Sequence, residues 1–194
     1  MNEVIFIRHG ATAGNLQKRY IGRTDEPLCP EGVAQIEALA GRLPAPDELF
    51  VSPMLRTLQT AELLYPGMEF TVVEDLRETD FGIFEGKTAS EMAEDPAYRA
   101  WVDSGCTAPI PGGEAVKAFK ARCIAAFRSS MKTVPPGGSA AFAIHGGGIM
   151  AILEALALPK RDYYSYHIGN GVFLRCVYAA GSLRMEEGAV SQKK

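Results

Sequence analysis

Two short apolar runs, each followed at once by a histidine and a glycine, place the strongest limit on how this chain can fold. Residues 4–7 lead into Arg8-His9-Gly10, and residues 140–144 lead into His145-Gly146. Continuous apolar runs of this length are typical of parallel strands that are buried on both faces. The carboxyl ends of parallel strands meet at one edge of a sheet. If these two strands are neighbours, both histidines emerge at the same edge and can contact one ligand.

The rest of the chain alternates between strand and helix patterns. Further strands are predicted at 49–51 and 70–73, and a hairpin-like pair at 171–178 and 183–186. Helices are predicted at 30–43, 88–103, 113–132 and 149–158, and at 52–64 with Ser52 as N-cap and Pro53 at the first helical position. This order predicts a three-layer α/β/α sandwich with a mostly parallel central sheet. Residues 1–194 are expected to form a single domain, with the last half-dozen residues as a frayed tail.

The charge of the chain excludes several classes of partner. The net charge is −3 and the pI is near 5.7, so no global positive field attracts nucleic acid or an anionic membrane. No apolar run approaches the roughly 18 residues of a membrane span, and the N-terminus lacks a signal-peptide pattern. We therefore expect a cytoplasmic protein. The four cysteines form no CxxC pair and have no zinc-ligand spacing, so we expect them to be reduced, buried or inert.

Local positive charge and glycines near the two histidines point to a phosphate. Guanidinium groups match phosphate oxygens, and glycine lets backbone N–H groups approach an anion. The candidate binding groups are Arg8, Arg56, Thr12, Asn15, Ile21, Gly22 and Gly146. Each has an ordinary alternative, because a single arginine is often a solvated ion pair, a histidine often packs in the core, and loop asparagine and glycine are common turn residues.

Transfer of a phosphoryl group to a histidine nitrogen also requires an acid that protonates the departing oxygen. Three carboxylates, Glu78, Asp80 and Glu85, follow the third predicted strand. Repulsion from a dianionic phosphate would favour the protonated form of a nearby carboxyl group. The sequence does not rank the three, and all of them could instead be solvated loop residues.

Four segments together resemble the histidine phosphatase superfamily, which includes the cofactor-dependent phosphoglycerate mutases. They are Arg8-His9-Gly10 with Thr12 and Asn15, the stretch 52–61 around Arg56, the stretch 76–86 around Glu78, and His145-Gly146-Gly147, in family order. The resemblance implies that His9 is the nucleophile that becomes phosphorylated, that Arg8, Arg56 and His145 bind the phosphoryl group, and that Glu78 is the acid and base. It also implies that Asn15 and Gly22 line the pocket and that a small phosphorylated metabolite is the substrate. No metal or cofactor is expected, since arginines and histidines stabilise the charge that a magnesium ion stabilises elsewhere.

Two features favour a phosphatase over a mutase within that family. Ala11 stands where the mutases usually carry glutamate, and the span from Gly86 to Gly113 is short, which leaves water access to the site. The segments 80–86 and 111–122 are similar to those of α-ribazole phosphatases of cobalamin synthesis. A broad-specificity sugar phosphatase, a mutase and a non-catalytic binding module remain open as alternatives.

The cluster 163–166, with His167 after it, is not explained by these motifs. Its tyrosines could form a pocket wall, but a core edge or the contact of a homodimer is the favoured interpretation.

Overall fold

A six-stranded sheet forms the centre of the molecule. The computed structural model describes residues 1–186. The strands, in chain order, are β1 (Asn2–Arg8), β2 (Glu48–Val51), β3 (Thr71–Val72), β4 (Ser139–Ile144), β5 (Phe173–Ala179) and β6 (Ser182–Met185). They lie in the order β3-β2-β4-β1-β5-β6; the first four are mutually parallel, and β5 and β6 are antiparallel to their neighbours.

Helices cover both faces of the sheet. They are α1 (Ala13–Leu16), α2 (Pro30–Glu37), α3 (Leu55–Leu64), α4 (Pro96–Asp103), α5 (Val116–Ser130) and α6 (Gly146–Leu156). Successive β1 side chains enter two separate cores: Val4 and Phe6 pack with residues of α5 and α6, whereas Ile5 and Ile7 pack with residues of α2 and α3. This alternation is what a strand buried on both faces requires. The predicted three-layer fold is confirmed.

Several predicted helix boundaries are wrong. The predicted helix 52–64 begins only at Leu55, after Met54 as N-cap, and the Ser52 side chain bonds to His145 instead of capping a helix. The predicted helix 88–103 is helical only over Pro96–Asp103, because the Asp95 carboxylate accepts the N–H groups of Ala97 and Tyr98 and starts a new helix there.

Two other helices also have boundaries that differ from the predicted ones, and only one of these differences affects the site. The helix predicted at 30–43 ends at Glu37, and residues 38–41 form turns. The helix predicted at 149–158 starts three residues earlier, so three glycines form its first turn with His145 as N-cap. The second shift matters for the site, because it points backbone N–H groups of a helix N-terminus towards the histidines.

A third apolar cluster is formed within the segment 82–110, with Tyr20 packed against it. Its buried members are Phe84, Met92, Tyr98, Trp101 and Ile110. Burial of these side chains packs together the segment that follows the stretch 76–86, so this segment is not an open loop. The described residues contain no helix with the length and apolar character needed to cross a bilayer. The predicted frayed tail lies outside the described residues.

Candidate active site

The two histidines meet at the carboxyl edge of the sheet, as the strand pattern predicts. β1 and β4 are parallel neighbours, and Arg8 pairs with Ile144 in the register, so His9 and His145 occupy equivalent positions after the two strands. Their ring centroids are 5.1 Å apart. Both side chains are almost completely buried. The edge therefore brings two imidazoles into one small site.

The hydrogen bonds of His9 define which ring nitrogen can react. Its Nδ1 lies 2.7 Å from the carbonyl oxygen of Gly10. Since a carbonyl only accepts, Nδ1 carries the proton and Nε2 keeps its lone pair. Burial, together with the positive charges of Arg56 and Arg8, holds the pKa of His9 well below its usual range. His9 is therefore a neutral imidazole with a free nucleophilic nitrogen at neutral pH.

The backbone of His9 is also fixed. Asn170 donates from Nδ2 to the His9 carbonyl at 3.2 Å, and the Gly171 N–H donates to the same oxygen at 3.0 Å. Asn170 also donates to the side-chain oxygen of Asn15 at 3.1 Å. The loop before β5 thus connects His9 to the helix α1 through hydrogen bonds.

Arg56 is buried in the first turn of α3 and is held by neutral groups. Its Nη1 donates to the carbonyl of Thr24 at 2.8 Å, and its Nη2 donates to the carbonyl of Gly22 at 3.0 Å. Its Nε lies 3.4 Å from Nδ1 of His145. Three of its five N–H donors are used in this way, which leaves two for a phosphoryl oxygen. Burial lowers the pKa of Arg56, but a guanidinium stays charged near neutral pH.

Arg8 supplies the second cation and lies against the start of α6. Its Nη1 donates to the carbonyl of Ile168 at 2.6 Å and lies 3.4 Å from Nε2 of His167. Its buried Nε has no hydrogen-bond partner within the described residues. A Cβ atom on Gly146 would lie 3.2 Å from both Cζ and Nε of Arg8. Glycine at 146 therefore lets the guanidinium rest on the helix terminus, with an unsatisfied donor available for an anion.

His145 is oriented by Ser52, a residue that the sequence pattern assigned to a helix cap. The Ser52 Oγ lies 2.7 Å from Nε2 of His145, and both side chains are fully buried. Because the Arg56 Nε can only donate to Nδ1, the Nε2 atom carries the proton here and donates to Ser52. Burial, followed by the charge of Arg56, holds the pKa of His145 well below its usual range.

The three candidate acids make different contacts in the structure. Glu78 lies at the site: its Oε2 accepts the Gly147 N–H at 3.2 Å, and its Oε1 accepts the Thr79 N–H at 2.9 Å. Glu85 instead accepts the N–H groups of Gly22 and Thr24 and so orders the loop that holds Arg56. Asp80 accepts the Gly82 N–H and faces Arg23 at 3.5 Å. Only Glu78 is placed beside the glycine turn of α6.

Three loop residues that were predicted to bind phosphate make other contacts in the structure, and their phosphate-binding roles stay predictions. Thr12 is fully buried, and its hydroxyl caps α1 by accepting the Asn15 N–H at 3.3 Å. Ile21 is buried, and its side chain packs against Gly14. Gly22 has both backbone groups occupied, by Glu85 and by Arg56. The carbonyl of Gly22 therefore helps to hold Arg56, and Gly22 also lines a second cavity that Glu78 lines.

Asn15 remains a candidate ligand of the phosphoryl group. Its side-chain oxygen accepts the Thr12 N–H and a donor from Asn170. Since an anion requires a donor, only the Nδ2 group of Asn15 can serve it.

A cavity of about 230 Å³ opens beside Arg8 and Glu78. Most of its wall is apolar or aromatic and includes Phe81, Trp101, Ile110, Phe119, Met150, Tyr163 and Tyr164. The tyrosine cluster therefore divides: Tyr163 and Tyr164 line this cavity, whereas Tyr166 is buried in the core. The core-edge interpretation therefore fits Tyr166 and also Tyr163, which packs against the same core, and the subunit contact stays a prediction.

His167 also lines this cavity. Partial burial and the charge of Arg8 lower the pKa of His167.

Three residues of the site were missed from the sequence. Ser52 and Asn170 act through contacts with residues 93 and 161 positions away, and Arg122 bonds to the carbonyl of Glu78 across 44 positions. The only local signals were Ser-Pro after a strand and Asn-Gly before one, both of which are typical of caps and turns. Within residues 1–186, no group of three or more His, Cys, Asp or Glu side chains is arranged to hold a metal ion.

The fold and the paired His-Gly strand ends define a class of α/β phosphoryl-binding proteins, and comparison identifies the family. The chain matches the family model of the histidine phosphatase superfamily (branch 1) over residues 4–189. This protein belongs to that superfamily.

Relatives within the family carry different names. A Yersinia pestis (strain Pestoides F) protein named "Probable phosphoglycerate mutase GpmB" is 30% identical over 185 residues, which cover 92% of this chain and 86% of that protein. A phosphoglycerate mutase structure from Thermus thermophilus is 32% identical, with a TM-score of 0.72 over 93% of this chain and 95% of that one. The α-ribazole phosphatase structure from Shigella flexneri has a TM-score of 0.83 at 20% identity, covering 98% and 96%, and shows a shared fold.

Proposed function

We propose that this protein is a phosphomonoester hydrolase that acts through a phosphohistidine at His9, with α-ribazole 5′-phosphate as its substrate. The observation that carries the proposal is the placement of a neutral His9, with its Nε2 lone pair free, near the buried Arg56 and the partly buried Arg8, whose hydrogen-bond partners are uncharged. Fixed positive charge and an aligned nucleophile supply most of the acceleration in phosphoryl transfer.

The reaction proceeds in two displacements. Nε2 of His9 attacks phosphorus, the bond to the alcohol oxygen breaks, and protonated Glu78 gives its proton to that oxygen. Water then attacks the phosphohistidine, Glu78 takes a proton from the water, and the N–P bond breaks to return neutral His9. The sum is ester plus water giving alcohol plus phosphate.

Arg8 and Arg56 bind the oxygens of the phosphoryl group in both steps. His145 assists as a donor: when a phosphoryl oxygen replaces Nδ1 as the acceptor of the Arg56 Nε–H, the ring proton can lie on Nδ1, and the Ser52 hydroxyl then donates to Nε2.

The cavity beside Glu78 favours a substrate with an apolar ring. α-Ribazole carries a planar dimethylbenzimidazole on ribose, which suits a wall containing Phe81, Trp101 and Tyr164. The carboxylate of 3-phosphoglycerate would need its own cationic partner. Arg8 is the arginine of this cavity, and the phosphoryl group already uses it. Hydrolysis of a ring-bearing ester therefore fits this site better than mutase chemistry. A place in cobalamin synthesis and in the cytoplasm goes with this substrate.

The test is phosphate release, with chelator present, from α-ribazole 5′-phosphate, 3-phosphoglycerate, a sugar phosphate and p-nitrophenyl phosphate. We expect a preference for α-ribazole 5′-phosphate, complete loss in His9→Ala, and acid-labile labelling of the wild type only. Equal activity on all esters would overturn the substrate assignment in favour of a generalist phosphatase. Isomerisation of phosphoglycerate without phosphate release would overturn the hydrolase assignment.

A pocket variant separates substrate choice from chemistry. Tyr164 lines the cavity and is 56% exposed, so Tyr164→Ala should leave the fold intact. It should lower kcat/KM for α-ribazole 5′-phosphate about tenfold, the cost of losing one aromatic contact, and leave kcat/KM for the sugar phosphate, which has no aromatic ring, unaffected. Val102→Ala is the matched control, because Val102 is an exposed apolar residue that does not line the cavity.

A further inference from the structure

Arg122, on α5, uses all five of its N–H donors on one segment of the chain and one carboxylate. Its Nε and Nη2 donate to the two oxygens of Glu114, each at 2.7 Å. Its Nη1 donates to the carbonyls of Asp75 at 2.7 Å and Arg77 at 2.8 Å. Its second Nη2 proton goes to the carbonyl of Glu78 at 3.1 Å. A guanidinium has five donors in a rigid fork, so none remains for another ligand.

The three carbonyls belong to the segment that carries the acid. A short 3₁₀ helix ends at Leu76, and the backbone is extended at Arg77, so the segment lacks the regular internal bonds of a helix or strand there. The guanidinium of Arg122, which lies on α5, donates hydrogen bonds to these carbonyls instead. Its side chain is only 13% exposed, which makes each of these bonds costly to lose.

Glu114 completes the arrangement from the loop before α5. Its carboxylate orients the guanidinium, and its own backbone N–H donates to the carbonyl of Asp80 at 2.9 Å. Arg122 and Glu114 therefore form hydrogen bonds with the backbone on both sides of Glu78. The positive charge of Arg122 is matched by Glu114, in contrast to Arg8 and Arg56, whose hydrogen-bond partners are neutral.

We infer that Arg122 is a positioning residue for Glu78: it fixes the backbone of the acid segment so that the carboxyl group stays at the glycine turn of α6, within reach of the leaving oxygen. This inference rests on the proposed hydrolase function. Misplacement of a catalytic group by about 1 Å costs on the order of 10²-fold in rate, so loss of the hydrogen bonds of Arg122 should lower the rate measurably.

The test compares leaving groups in Arg122→Lys. A lysine has three donors and cannot serve the five acceptors that Arg122 serves. We expect kcat/KM for an alkyl phosphomonoester, whose alkoxide needs a proton, to fall about 10- to 100-fold. For p-nitrophenyl phosphate, whose leaving group needs no acid, kcat/KM should be unchanged, and phosphorylated His9 should accumulate because Glu78 also assists water. Arg128→Lys, at an exposed position of the same helix, is the matched control.

A double variant distinguishes positioning from general support of the fold. In a Glu78→Gln background, Arg122→Lys should cause no further loss on the alkyl ester, since there is no longer an acid to position. Equal losses on both esters, or additive losses in the double variant, would overturn the inference. If Arg122→Lys does not fold, Glu114→Gln keeps the arginine, and a smaller loss with the same leaving-group selectivity is expected.

The result that would contradict the proposed function differs from the result that would contradict the role of Arg122. An unlabelled wild type would refute the phosphohistidine mechanism whatever Arg122 does. A labelled wild type with no selectivity in Arg122→Lys would refute only the positioning role.

Discussion

The three glycines that open α6 allow a graded test of how closely the acid must be placed. An alanine Cβ at Gly148 would lie 3.7 Å from Ile144 Cδ1 and 3.8 Å from Cys123 Sγ, which are ordinary contacts. At Gly146 it would lie 3.2 Å from the Arg8 guanidinium, which would shift by a few tenths of an ångström. At Gly147 it would overlap Glu78 Oε1, lie 3.1 Å from Cζ of the buried Phe119 ring, and lie 3.2 Å from Cδ of the Glu78 carboxyl group.

The overlap sets the size of the expected effect. To restore an ordinary separation of about 3.5 Å, the carboxylate must retreat by roughly 1 Å, and a displacement of that size costs on the order of 10²-fold in rate. Gly147 is helical, and alanine is favoured over glycine inside a helix by up to about 1 kcal/mol. Gly147→Ala should therefore lower kcat/KM for an alkyl phosphomonoester about 100-fold, with little change in Tm, because the helical preference of alanine offsets a small shift of the Phe119 ring.

The assay pairs kcat/KM on an alkyl ester and on p-nitrophenyl phosphate with thermal unfolding of the three alanine variants. Gly148→Ala should match the wild type in activity, and Gly146→Ala should fall between the other two. Full activity of Gly147→Ala on the alkyl ester would refute the role of Glu78 as the acid. An equal loss in Gly148→Ala would show that any change in this turn is harmful, and the geometric reasoning would then fail.

Two further predictions concern the histidines. Ser52→Ala leaves the Nε2 proton of buried His145 without an acceptor, so the free energy of unfolding should fall by about 1–3 kcal/mol and activity should fall with it; urea titration that shows no loss would contradict the bond. The lowered pKa values of His9 and His145 mean that the unfolded chain binds more protons than the folded one below the ordinary value of 6.5. Stability should therefore decrease as pH falls from about 6.5, by up to about 1.4 kcal/mol per pH unit for each histidine, and His9→Gln should show a shallower slope.

The strand ends were predictable because their information is local. An apolar run followed by His-Gly identifies a buried strand and its carboxyl end, and only the neighbouring position of β1 and β4 had to be assumed. The edge of the sheet then brings His9, His145 and the first turn of α6 together. Arg56 follows for the same reason, since α3 begins just after β2.

The residues that were missed or misassigned depend on distant partners. Ser-Pro after a strand has the local pattern of a helix cap, and nothing nearby shows that Ser52 serves a histidine 93 positions later. Glu78, Asp80 and Glu85 look alike in the sequence. The tertiary structure distinguishes them: the N–H groups of the loop 22–24 donate to Glu85, and an N–H group of the glycine turn of α6 donates to Glu78. Tertiary contacts override local patterns at these positions.

The partners of the buried arginines explain how an acidic chain of net charge −3 can bind a dianion. Arg122 is neutralised by Glu114 and supports the backbone. Arg56 and Arg8 are held by carbonyl oxygens and by imidazoles whose lowered pKa values keep them uncharged. Carbonyl dipoles satisfy the buried N–H donors without cancelling the charge. The two positive charges therefore remain available to a phosphoryl group, and the attraction is confined to the few ångströms around His9, where phosphorus must be placed for attack.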